Sequence, residues 1–203
     1  MSGESLLERF RALDIDHMAV GLRQDTDDTP CFCTPVGARV VGSLGVDGVH
    51  FVQVPALDPE AVFSVTPIPC GEHHVEPVAE DFETFLRLVL ACGGASPLEQ
   101  VSYLDEAGFD QLLVEDRASV DSDRAAALSR IRQALGLEPH PAPYAYIKSL
   151  QKGFDYTTIP FSEEYYEVTG EPNPGGVIAD DQARSAPLWE NVMKLGIDIS
   201  DET

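Results

Sequence analysis

The spacing of apolar residues changes period twice along the chain. Leu6, Leu7, Phe10 and Leu13 recur at helical spacing with Glu4, Glu8, Arg9 and Arg11 off that face, which predicts a short amphipathic helix over Ser5 to Leu13. Residues 22 to 35 are polar and turn-rich and read as a loop leading into a strand. From Ala38 to Thr66 the period shortens to two and β-branched residues dominate. ARVVGSLG, GVHFVQVP and EAVFSVTP read as three strands of an antiparallel meander, and IPCGEHHVEP as the irregular connection that follows.

The period then lengthens again. In AEDFETFLRLVLACGG, Phe82, Phe85, Leu86, Val89 and Leu90 form one stripe, acidic residues crowd the start, and Gly93-Gly94 closes the helix. Further helices are predicted around 97–114, 120–135 and 143–152, with Asp121 or Ser122 as a cap and Gly136 as a stop. DYTTIPFSEEYYEV reads as a strand or an ordered loop, and GEPNPGGVIADDQARSA as flexible. PLWENVMKLG, with Trp189, has room for a last helical turn or two. The expectation is an α+β fold: an antiparallel sheet (about residues 30–67) packed by helices, a helical C-terminal half and a flexible acidic tail. Residues 1–168 would form one globular domain and 169–203 a tail with a short helical segment.

Charge narrows the function classes. Thirty-five acidic residues face thirteen basic ones, a net charge of −22. Residues 1–100 carry 16 acidic and 5 basic side chains and residues 101–203 carry 19 and 8, so each half holds −11. An excess spread this evenly describes an acidic surface rather than an acidic tail. It disfavours nucleic acid and anionic lipid and favours a basic protein partner. No apolar run of about 18 residues is present, and the start lacks the basic and apolar regions of a secretory signal. A cytoplasmic location is expected, with Cys31, Cys33, Cys70 and Cys92 as reduced thiols.

Candidate chemistry is sparse. Cys70, His73 and His74 offer half of a zinc-type ligand set, which leaves a metal-stabilised domain or metal-dependent enzyme as an alternative. Cys31 and Cys33, if on a strand, would point to opposite faces. Cys92, at the apolar C-terminal end of its helix, reads as core. No G-x-S-x-G elbow and no phosphate-binding glycine loop occurs, so no catalytic residue and no cofactor are assigned.

The densest feature is aromatic. Tyr144, Tyr146, Phe154, Tyr156, Phe161, Tyr165 and Tyr166 crowd into 23 residues, out of sixteen aromatics in all. Most would pack on the layer beneath. Tyr165 and Tyr166, beside Glu163, Glu164 and Glu167, are expected to stay partly exposed as a partner-binding patch.

AVFSVTPIPCGEHHVEPVAEDFETFLRLVLACGGASPLEQV (residues 61–101) and APYAYIKSLQKGFDYTTIPFSEEYY (142–166) resemble a group of uncharacterised bacterial proteins. The order of strand, loop and D-F-x-x-F-L helix in turn resembles the SUKH superfamily of toxin-immunity proteins and cell-wall regulators. The resemblance implies an α+β, non-enzymatic protein-binding module in which Asp81, Phe82, Phe85 and Leu86 are structural. The superfamily's early tryptophan-bearing helix and its L-P-x-x-Y element are not visible here. Joined to the charge, it suggests an acidic immunity-type protein that neutralises a basic toxin. A structural, self-associating protein is the remaining alternative.

Overall fold

A computed structural model describes residues 5–25, 29–57, 59–69 and 71–173. The chain order is α1 (Leu6–Arg11), a 3-10 turn (Met18–Val20), β1 (Arg39–Ser43), β2 (His50–Gln53), β3 (Val62–Val65), β4 (Val75–Ala79) and α2 (Phe82–Cys92). Then follow α3 (Ser96–Gln100), α4 (Glu106–Ala118), α5 (Ser122–Leu135), α6 (Pro143–Gly153), a second 3-10 turn (Tyr156–Thr158) and α7 (Glu163–Thr169). The fold is α+β, with one antiparallel sheet in the order β1-β2-β3-β4.

Every residue of β2 and β3 is buried, so this small sheet is covered on both faces. Side chains alternate between two cores, as strand geometry requires. Phe51 and Val62 join the helix-side core with Phe10, Phe82, Phe85, Leu86, Val89, Leu98, Phe109, Ile131 and Ile147. Val52, Phe63, Val65 and Val75 face the opposite core with Cys31, Phe32, Cys33, Ile159 and Tyr165. The second cover is built from two segments far apart in sequence, residues 31–36 and 154–169. They are tied by the Val36 N–H, which donates to the Pro160 carbonyl at 2.7 Å.

Helix α2 anchors the first cover. The Asp81 side chain accepts from the Thr84 N–H at 2.7 Å, and Gly93 ends the helix at φ 80°, a left-handed conformation that glycine adopts without penalty. Gly42 in β1 has a different reason: a Cβ there would lie 2.9 Å from the Leu22 Cα, so the strand passes too close to that backbone for any side chain. Helix α6 runs beside edge strand β4, where Gln151 Nε2 donates to the Pro77 carbonyl at 3.5 Å.

Several expectations need correction. The sheet does not begin near residue 30, because residues 31–34 form a turn and β1 starts at Arg39. It also extends beyond residue 67: Val75–Ala79 is a fourth strand where an irregular connection was expected. The stretch 97–114 is two helices, α3 and α4, and residues 156–169 contain a 3-10 turn and α7 rather than a strand. Of the expected tail, Thr169 closes α7, and residues 174–203, with Trp189, lie outside the described residues. Among the described residues no helix is long and apolar enough to cross a membrane.

His50 is the largest polar side chain sealed in the sheet, at 0% exposure. Its Nδ1 lies 2.7 Å from the Gly48 carbonyl and its Nε2 3.0 Å from the Thr34 hydroxyl. Burial lowers its pKa from 6.5 to about 4. The unfolded chain therefore binds this proton more readily than the folded one, and stability falls as pH drops from 6.5 towards 4. His50 alone accounts for about 3 kcal/mol of that loss at the acid end. Urea unfolding across this window is expected to show His50→Gln with a flatter profile than wild type; parallel profiles would refute the assignment.

Candidate functional site

The second cover leaves a cleft of about 430 Å³ beside the end of β4. Its walls are His73, His74 and Val75 on one side and Tyr156, Phe161, Tyr165 and Tyr166 on the other, with Glu72 and Glu171 among the lining residues. Among the described residues no lysine or arginine lines it.

Each aromatic wall is held by a specific contact. Tyr156 stacks on the His73 imidazole, with centroids 3.9 Å apart and planes at 18°, and meets Phe154 edge-on at 5.3 Å. The Tyr156 hydroxyl donates to Glu76 Oε2 at 2.5 Å. Phe161 and Tyr165 stack in parallel at 3.8 Å, and Tyr166 stands edge-on to Tyr165 at 5.2 Å. The Tyr165 hydroxyl donates to Glu171 Oε1 at 3.1 Å. His74 Nδ1 lies 3.1 Å from the Thr66 carbonyl, and its ring meets Phe32 and Tyr165 edge-on at 5.2 and 6.0 Å.

The electrostatics follow from burial. Desolvation raises the Glu76 pKa, opposed by the hydrogen bond from Tyr156. Desolvation, then the Glu76 carboxylate, raises the pKa of Tyr156, and desolvation with Glu171 does the same for Tyr165 and Tyr166. These phenols stay neutral, which suits them to packing and hydrogen bonding rather than to proton abstraction.

The expected binding patch is thus only partly placed on the surface. Tyr165 is buried at 4% exposure, a correction with a simple cause: it lies on the inner face of α7, stacked on Phe161, while Glu163 and Glu167 face solvent. Tyr166 is half-buried and lines the cleft, as does Tyr165; Glu163 is exposed and Glu164 half-buried. Glu72, Tyr156, Phe161 and Glu171 complete the cleft, and none was singled out from sequence as a binding residue. Glu76, the one charged residue of β4, gave no signal in the sequence because its strand was read as an irregular connection.

His73 and His74 both line the cleft but turn to different partners, Tyr156 and the Thr66 carbonyl. Cys70 lies outside the described residues. Among the described residues no three His, Cys, Asp or Glu side chains gather as a metal-ligand set. Cys92 is core, as its helix position implies, and burial pushes its thiol up to about 12. Ser149 and Lys152 on α6 have the spacing of a serine nucleophile and its lysine, yet both are exposed on the helix surface. A larger trough, about 650 Å³, runs between α4 and residues 139–145. It presents fewer rings, Phe109 and Tyr144 with His140.

Tyr156→Phe should remove the donor to Glu76 and cost about 1–3 kcal/mol at neutral pH, the price of a half-buried carboxylate losing a partner. Glu76 binds its proton more tightly when folded, so the loss should shrink in acid, where the carboxyl no longer needs that donor. Denaturant unfolding at neutral and acid pH checks this, and an equal loss at both would contradict it. No family model, curated protein or solved structure matches this chain.

Proposed function

We propose that this chain is a non-enzymatic protein-binding module whose aromatic cleft takes a lysine- or arginine-bearing segment of a basic partner. The observation that carries the reading is the lining itself: four tyrosine and phenylalanine rings and two carboxylates, with no lysine or arginine among the described residues, on a chain of net charge −22. A cation over an aromatic face gains about 0.5–2 kcal/mol depending on its desolvation, and Glu72 and Glu171, which line the cleft, would pair with it. The general negative field would speed the encounter, and the cleft would supply the discrimination.

An immunity-type role, in which the basic partner is a toxin, fits this chemistry and the SUKH resemblance of residues 61–101. A cytoplasmic location fits the same role. The rings that hold the cleft open are already packed against one another, so little side-chain entropy remains to be lost on binding.

Titration calorimetry with an arginine- and lysine-rich peptide, and with an acidic peptide of equal length, tests the reading. The basic peptide should bind and weaken as salt rises, and the acidic one should not bind. Tyr166→Ala should weaken binding by about tenfold, the worth of one cation–π contact. Glu171→Gln should reduce it further in low salt than in high salt. Equal affinity for both peptides, or indifference to Tyr166→Ala, would sink the cleft as the binding site.

A further inference from the structure

Residues 31–34 fold into a turn closed by the Thr34 N–H, which donates to the Cys31 carbonyl at 2.8 Å. The turn places Cys31 Sγ 3.3 Å from Cys33 Sγ, both residues buried as free thiols. This reverses the strand-based expectation that the two sulfurs point apart. The Cys31 N–H donates to Thr34 Oγ1 at 2.8 Å, and that hydroxyl lies 3.7 Å from Cys31 Sγ and 3.0 Å from His50 Nε2.

The order of protons along this row is fixed at one end. The Gly48 carbonyl can only accept, so His50 Nδ1 carries the ring proton and the neutral ring's Nε2 is an acceptor. The Thr34 hydroxyl has one proton and two acceptors within reach. It donates to His50 while Cys31 is a thiol and can turn to the sulfur once Cys31 is a thiolate. Cys33 then supplies a second hydrogen bond to the same sulfur. In agreement, the Cys33 hydrogen bond above all, with backbone and Thr34 donors, lowers the Cys31 pKa against the opposing effect of burial, while that of Cys33 is raised.

We propose that Cys31 and Cys33 form a dithiol that hydroperoxides oxidise to a disulfide, with Cys31 attacking and Cys33 resolving. The Cys31 thiolate attacks one peroxide oxygen and the O–O bond breaks. The departing hydroxide takes up the thiol's proton as water, leaving a sulfenic acid on Cys31. Cys33 then attacks that sulfur, the S–O bond breaks, and the hydroxyl leaves with the Cys33 proton as a second water. The sum is two thiols and hydrogen peroxide giving one disulfide and two waters. Hydroperoxide, rather than a bulky disulfide, is the oxidant because Cys31 is only 8% exposed and Cys33 fully enclosed. Cys31, Cys33, Thr34 and His50 lie outside the lining of the aromatic cleft.

The test exposes the full chain to hydrogen peroxide, quenches the peroxide, alkylates the chain in denaturant so that buried thiols react, digests it and reads the peptide containing Cys31 and Cys33 by mass spectrometry. The expected peptide lacks two hydrogens, takes up no alkylating agent and returns to the dithiol with reductant, while Cys92 stays alkylatable. In Cys33→Ser a dione reagent should trap the sulfenic acid on Cys31. Thr34→Val should slow the wild-type reaction by about tenfold, the worth of one hydrogen bond to a charged sulfur. Both cysteines still alkylated after peroxide, oxidation of Cys31 without a link, or faster linkage by a bulky aromatic disulfide would each overturn the proposal.

Discussion

The structure depends on a four-stranded sheet that buries both faces. A sheet with one wet face would alternate apolar and polar residues, yet β2 and β3 have no exposed position. Each large apolar side chain removed from water contributes about 1.5–3 kcal/mol, so neither Phe51 and Val62 on one side nor Phe63 and Val65 on the other can be left bare. Helices supply the first cover. The second is a turn and a C-terminal segment of rings, and the chemistry of the molecule gathers there because loops and short helices leave gaps that long helices would close.

The first cover was legible in the sequence; of the second, only the packing of most of its aromatic rings was. Helix α2 carries caps at both ends and a continuous apolar stripe, so local propensity, pattern and tertiary burial agree. The first three strands showed through their β-branched residues. β4 was hidden by the polar Glu-His-His before it and by Pro77 inside it; an edge strand tolerates proline because an outward N–H needs no ladder partner. Tyr165 was misplaced because its neighbours are glutamates. In α7 the helical period separates them, sending the ring inward and the carboxylates out. Cys31 and Cys33 were misjudged because the period-two argument holds only on a strand, whereas the Thr34 N–H closes a turn there.

The cleft and the net charge belong to one physical picture. Charge alone is unspecific, since it draws any cation to any part of the surface. On the proposed reading, the stacked rings held by Glu76 and Glu171 would give that attraction a shape, and the same carboxylates keep the phenol protons in place. His74 and Phe32 connect this cleft to the cysteine turn, since Phe32 sits between the two cysteines in sequence and packs against both Tyr165 and His74.

The split origin of the second cover bears on how the chain is made. Residues 154–169 leave the ribosome roughly ninety positions after β3, and loop closure over such a distance is slow compared with a meander. Until that segment arrives, Phe63, Val65 and Val75, which point away from the helices, lack most of their cover and present a nascent strand surface able to pair with other chains. Synthesis pausing before Phe154 would therefore prolong the aggregation-prone state, and chaperone demand would concentrate on this one half-covered face.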